Sequence, residues 1–193
     1  MLIVIPFRAG GKTRLPDAFR RELALAMLGD VVQASVVVAD VRVVTDDAAG
    51  ALVARELGAR VVGDPGEGQG AAVAAGLAGA DGISLVVNAD LPRARASDLN
   101  ALAVPARLGS VAIVEAGDGT TNALGLPYPE FFQPLYGAGS AGQFRAHAHA
   151  LALAVEDLAL RNLVEDIDTL ADLERLGRRS GPRTRALLEA IAR

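Results

Sequence analysis

The chain has 193 residues, 51% of them hydrophobic, no cysteine and a formal charge of −4. That length and apolar content suffice for one well-buried domain, and the charge leaves no overall basic footprint for polymeric nucleic acid. The absence of thiols excludes a disulfide framework and a thiolate metal site. The N-terminal apolar run is only a few residues long before Pro6 and has no basic residues ahead of it, so it reads as neither a signal peptide nor a membrane span. A cytoplasmic protein without a membrane partner is expected.

Short apolar runs bounded by Gly, Asp and Pro alternate with alanine-rich amphipathic stretches, the pattern of a largely parallel sheet covered by helices. Strands are expected at Leu2 to Pro6, Val41 to Thr45, Arg60 to Gly63, Ile83 to Asn88, Val111 to Glu115 and Asn122 to Leu126. Helices are expected at Asp17 to Ala34, Ala48 to Leu57, Gly70 to Ala78, Ser97 to Ala103, Gln143 to Ala152, Leu170 to Leu176 and Pro182 to Ala192. The stretch from Glu115 to Ser140 breaks the rhythm with three prolines and glycine-rich flanks. It reads as a substrate-side insertion, about 115–142, within one domain spanning 1–193. Leu187, Leu188 and Ile191 are expected to pack internally, with a homodimer interface as the alternative.

In open parallel sheets ligands collect outside the carboxyl ends of the strands, and polar residues cluster there in this chain. The first strand runs into Phe7-Arg8-Ala9-Gly10-Gly11-Lys12-Thr13-Arg14-Leu15, the second into Thr45-Asp46-Asp47, the third into Gly63-Asp64, and the fourth into Asn88-Ala89-Asp90-Leu91-Pro92. Lys12 is the only lysine among nineteen basic residues. A compact, mobile ammonium at that one place, in a glycine-rich setting, points to a phosphate-handling loop. A P-loop is excluded: it needs a glycine five residues before Gly11, where Pro6 stands, and Leu15-Pro16 opposes an immediate helix.

Asp90 ends the apolar run Ile83-Ser84-Leu85-Val86-Val87, which presents its carboxylate at the rim of a buried strand and suits an oxygen-ligand Mg²⁺ site. Asp166-Ile167-Asp168-Thr169 leads toward a further helix. There Thr169 and Asp172 have capping-box spacing, which leaves Asp168 available for a ligand. Gly137, Gly139 and Ser140 can form a backbone nest for an anion, with Thr120 and Thr121 adding hydroxyl donors. His147 and His149 are two apart on a helix, share no face and make a poor metal pair; His147 is read as structural.

Taken in order, the Arg8 to Leu15 loop, Thr45-Asp46-Asp47, Ala89-Asp90-Leu91-Pro92, Gly119 to Leu124, Tyr136 to Ser140 with Phe144-Arg145-Ala146-His147, and Asp166 to Thr169 resemble the 2-phospho-L-lactate guanylyltransferases called CofC or FbiD. The resemblance covers roughly Met1 to Leu176. It implies a Rossmann-like nucleotidyltransferase fold, a three-layer α/β sandwich on a mostly parallel mixed sheet. It also implies GMP transfer from GTP to a small phosphorylated three-carbon acid, with release of pyrophosphate, in biosynthesis of the deazaflavin coenzyme F420. By resemblance Lys12, Thr121, Gly137 and Ser140 hold the acid, Asp90 and Asp168 bind Mg²⁺, and Lys12, Asp90 and Asp168 carry the catalysis. The nucleotide falls to Arg8, Ala9, Gly10, Gly11, Arg14, Asp46 and Gln69. Family members usually read Gly-Leu-Asn before the third helix, where this chain has Gly68-Gln69-Gly70, so Gln69 is expected to supply the amide. Acceptors in the family are 2-phospholactate, phosphoenolpyruvate and 3-phosphoglycerate; the arginine- and alanine-rich composition, that of a high-GC bacterial genome, favours phosphoenolpyruvate. A molybdopterin-type nucleotidyltransferase and a non-catalytic nucleotide-binding protein are the competing readings.

Overall fold

The computed structural model describes residues 1–9, 17–166, 172, 175 and 179–191, with backbone only for 17–19. The expected helix at Leu170 to Leu176 falls largely outside these residues. Seven strands form one sheet: β1 (Leu2–Pro6), β2 (Asp40–Val44), β3 (Arg60–Val62), β4 (Ser84–Val87), β5 (Val111–Glu115), β6 (Thr121–Leu126) and β7 (Val155–Asp157). Their spatial order is β3-β2-β1-β4-β6-β5-β7. All neighbouring pairs are parallel except those of β6, which runs antiparallel to both β4 and β5. The stretch read as an insertion thus contributes β6 to the sheet interior and a 3₁₀ turn at Pro129–Phe131 beyond it.

The helices are α1 (Asp17–Val36), α2 (Ala48–Glu56), α3 (Gln69–Leu77), α4 (Ala96–Arg107), α5 (Ser140–Ala150), the single turn α6 (Arg161–Val164) and α7 (Pro182–Ile191). Alternation along β1 sorts them into two layers, because successive side chains of a strand point to opposite faces. Ile3 and Ile5 join Leu28, Val31 and Val32 of α1, Ala54 of α2, and Leu99 and Leu102 of α4 in one core. Leu2 and Val4 join Val73 and Leu77 of α3 and Phe144 and Ala148 of α5 in the other. On α1 the buried residues Leu23, Ala24, Met27, Leu28, Val31, Val32 and Ser35 form one stripe at helical spacing. Each large side chain so buried contributes about 1.5–3 kcal/mol. Gly76 lets α3 lie against the sheet: a Cβ there would stand 2.4 Å from Val4 Cγ1 and 2.8 Å from Val44 Cγ2.

Two boundaries and two short elements differ most from the sequence reading. The fourth helix continues past Ala103 to Arg107, through Pro105. α5 begins at Ser140 rather than Gln143, because Gly139 takes a left-handed conformation (φ 68°) at its N-cap. Neither β7 nor the single turn α6 was expected; β7 is a three-residue edge strand, largely exposed, whose pairing to β5 comes from distant backbone.

α7 packs on α1, where Leu187 and Leu188 are half-buried and Ile191 is exposed. Buried Asp30 of α1 accepts from the Arg183 N–H (2.9 Å) and the Thr184 N–H (3.0 Å). A carboxylate from one helix therefore caps the N-terminus of another, 153 residues away in sequence. Asp30→Ala should lower stability by about 1–2 kcal/mol, and limited proteolysis should then cut first near residues 179–191. Equal protease resistance of variant and parent would refute this role.

A candidate nucleotide site at the carboxyl ends of β1 and β4

The chain leaves β1 leftward to β2 and β3 and returns to β4 on the other side of β1. Right-handed crossovers then put α1 and α2 on one face and α3 on the other, so the carboxyl ends of β1 and β4 part with a crevice between them. A cavity of about 300 Å³ lies there, lined by Pro6, Phe7 and Arg8 after β1, Asn88, Ala89 and Asp90 after β4, Asp64 after β3, Gln69 and Ala72 of α3, and Ala24 and Met27 of α1.

Arg8 forms a two-pronged ion pair with Asp64: Nε donates to Oδ2 at 2.6 Å and Nη2 to Oδ1 at 2.9 Å. Asp64 Oδ1 also accepts from the Gly66 N–H (2.9 Å), and the Asp64 N–H donates to Asp46 Oδ1 (3.1 Å). The hydrogen bond to Arg8 holds the Asp64 carboxyl below the usual carboxylate range against the opposing cost of burial, and the same bond raises the Arg8 guanidinium. Asp47, next to Asp46, caps α2 by accepting from the Gly50 N–H at 2.8 Å.

Across the cavity Gln69 Nε2 donates to Asn88 Oδ1 (2.8 Å), and Asn88 Nδ2 donates to the Thr121 carbonyl (3.2 Å). Asn88 thus ties the cavity to a second polar group, where the buried Ser140 hydroxyl donates to Thr121 Oγ1 at 3.1 Å. Gly137 (φ 131°) and Gly139 (φ 68°) precede Ser140 and turn the chain into the N-terminus of α5. The loop 127–139 is set by packing: Tyr136 stands edge-on to Phe144, and Pro134 sits where a Cβ on Gly70 would be. His147 Nε2 is 3.1 Å from the Phe131 carbonyl, which agrees with a structural role, and His149 is exposed.

Arg8, Gln69 and Asp90 of the sequence-predicted residues therefore line one cavity, and Ala9 follows Arg8 half-buried. Asp46 braces it through Asp64, and Thr121, Gly137 and Ser140 group beside it. Gly10, Gly11, Lys12, Arg14 and Asp168 lie outside the described residues. Sequence reasoning assigned no role to Asp64, Asn88 or Asn122. Position after a strand was the available signal for the first two. Asn122 is buried within β6 and donates from Nδ2 to the Val164 carbonyl at 3.0 Å, which anchors the segment preceding Asp166.

This fold, with this crevice, is that of a nucleotidyltransferase. A nucleotidyl transferase from Methanothermobacter thermautotrophicus superposes with a TM-score of 0.65 at 19% identity, covering 91% of this chain and 95% of that one. A Desulfovibrio desulfuricans G20 chain described as a nucleotide-diphospho-sugar transferase gives 0.78 at 18%, covering 99% and 95%. The chain belongs to the guanylyl transferase CofC-like family, whose model matches residues 1–190. Relatives named phosphoenolpyruvate guanylyltransferase include those of Salinispora arenicola (39% identical, 98% of this chain and 94% of the relative) and Nocardia farcinica (40%, 98% and 90%). Another, from Thermomonospora curvata, is 38% identical over 96% of this chain and 87% of its own. The membership fits an enzyme and the sandwich fold expected from the sequence. Among the described residues no helix is long and apolar enough to cross a membrane.

Replacing Asn122 with Ala should leave the Val164 carbonyl without its donor, at a cost of about 1–3 kcal/mol. Amide exchange across residues 158–166 should accelerate while β1 and β4 stay protected; uniform exchange along the chain would show that Asn122 is no local anchor.

Proposed function

We propose that the chain transfers GMP from GTP to phosphoenolpyruvate and releases pyrophosphate, as a step toward the deazaflavin coenzyme. The observation that carries this reading is the pairing of two polar groups through Asn88: a nucleotide-sized crevice holding Arg8, Asp64, Gln69 and Asp90, and beside it the Thr121–Ser140 group at the N-terminus of α5. The names of the relatives support the acceptor.

In this reading the segment 115–142 is the acceptor side. The Thr121 and Ser140 hydroxyls bind the acid's anionic groups beside the N-terminus of α5, whose dipole favours negative charge. Lys12 adds a charge, and the basic loop Arg8 to Arg14 takes the triphosphate. A phosphate monoester has a second pKa of about 6, so at neutral pH the acceptor is already an anionic nucleophile and needs no general base. One of its phosphate oxygens attacks the α-phosphorus of GTP, that P–O bond forms, and the bond to the α,β-bridging oxygen breaks. Pyrophosphate leaves with the electron pair. What the protein supplies is alignment and charge.

The donors also suit Mg²⁺. Asp90 brings a carboxylate to the rim of the crevice, and Mg²⁺ takes one or two protein carboxylates and fills its shell with phosphate oxygens and water. No three His, Cys, Asp or Glu side chains cluster for a metal among the described residues. Asp90 and Asp168 would hold the ion, which on binding neutralises phosphate charge and orders the reacting oxygens. Use of GTP as donor fits a cytoplasmic setting, and a net charge of −4 fits small-molecule rather than nucleic-acid substrates.

The test is pyrophosphate release from GTP and Mg²⁺ with phosphoenolpyruvate, 2-phospholactate or 3-phosphoglycerate separately, with ATP and CTP as controls. Release with GTP and phosphoenolpyruvate is expected, and Asp90→Asn should lower it by about 100-fold or more, the scale of several kcal/mol of charge stabilisation. GTP binding without release for any of the three acids would refute the assignment.

A further inference from the structure

The Arg8–Asp64 pair is asymmetric: the Asp64 side chain is 3% exposed and that of Arg8 47%. Asp64 is fixed from behind by the Gly66 N–H on Oδ1 and by its own N–H on Asp46. Only its outer edge, facing the cavity, takes the two-pronged donor from Arg8. Such a half-exposed pair is weakly held because the guanidinium can return to water. The carboxylate cannot, and stripping it of donors in place is costly. Arg8 can therefore be displaced only by a ligand that presents an equivalent pair of parallel donors.

Resting on the GTP reading above, we propose that Asp64 reads the guanine base, and that Arg8 occupies its place until the nucleotide arrives. Guanine offers N1–H and the 2-amino group side by side, the same donor–donor fork as a guanidinium. Adenine presents an acceptor at N1 and no donor at C2, and cytosine presents an acceptor at both O2 and N3. Neither can replace Arg8 on Asp64. A site whose buried polar group is left unpaired by the wrong ligand discriminates strongly. The exchange also frees the Arg8 guanidinium, at the end of β1, for the triphosphate. Base recognition and leaving-group stabilisation then become successive uses of one side chain. Gln69, in the same cavity, is committed through Nε2 to Asn88, so guanine preference does not depend on that amide nitrogen.

The experiment is equilibrium binding of GTP, ITP, ATP and phosphate-free guanosine to the full chain with Mg²⁺, for the parent, Asp64→Asn and Arg8→Ala. ITP keeps N1–H but lacks the 2-amino group. The parent should bind it at least about tenfold more weakly than GTP, the weight of one hydrogen bond to a charged acceptor. Asp64→Asn should shrink that ratio to within about threefold. Arg8→Ala should bind guanosine more tightly than the parent, since nothing need be displaced, while binding GTP more weakly. Equal affinity of the parent for GTP and ITP, which needs no variant, overturns the proposal. So does Arg8→Ala binding guanosine no better than the parent, which would leave Asp64 as a tether for Arg8 only. Pyrophosphate release with GTP in either of those cases shows that the guanylyltransferase assignment stands without this one.

Discussion

The handedness of the strand connections is the constraint from which the site follows. Three crossovers distribute α1 and α2 to one face and α3 to the other, and the chain leaves β1 toward β2 but leaves β4 toward β6 and β5 on the other side of β1. Every polar residue of the crevice arrives there within three residues of a strand end, or at the start of α3. None needs an elaborate loop of its own. Close packing sets the depth of the crevice: Gly76 lets α3 settle on Val4 and Val44, and Gly50 leaves room for the Phe7 ring, which a Cβ would meet at 2.5 Å.

Electrostatics acts locally in this acidic chain. Arg8 is matched to Asp64, Arg93 to Glu165, and Arg145 to both Glu115 and Asp157. The last of these sits outside the crevice and joins β5, α5 and β7, and its two carboxylates raise the Arg145 guanidinium. Exposed pairs of this kind contribute little to stability, about 0–1 kcal/mol each. Their value is positional. Glu165 ties Arg93, just after Asp90, and Arg175 to the segment that leads to Asp166.

Much of the fold was legible because its signals are local. Leu2–Pro6 and Val111–Glu115 are buried apolar runs with clear ends, and Asp47 stands at the helix start it caps. The helix expected to end at Ala103 continues through Pro105 to Arg107. β7 was illegible because Val155-Glu156-Asp157 has no strand signal apart from its neighbour β5. The site shows the same division. Asp90, Thr121 and Ser140 stand in short motifs visible in the sequence, and the structure puts Asp90 at the crevice and Thr121 and Ser140 together beside it. The bond between Arg8 and Asp64 spans 56 residues, and only the parallel pairing of β1, β2 and β3 brings the two ends into register. The same pairing makes Asp46 a brace for Asp64, a part that no local pattern announces.

The contact between Gly70 and Pro134 bears on how such an enzyme can change its substrate. A Cβ on residue 70 would lie 2.4 Å from Pro134 Cβ and 2.9 Å from its Cα, so the loop beside the Thr121–Ser140 group rests directly on backbone adjoining Gln69. The crevice and the Thr121–Ser140 group are mechanically joined at that point. A substitution that reshapes the loop also presses on the start of α3. A change in the shape of that loop is then coupled to paired changes at 70 and 134.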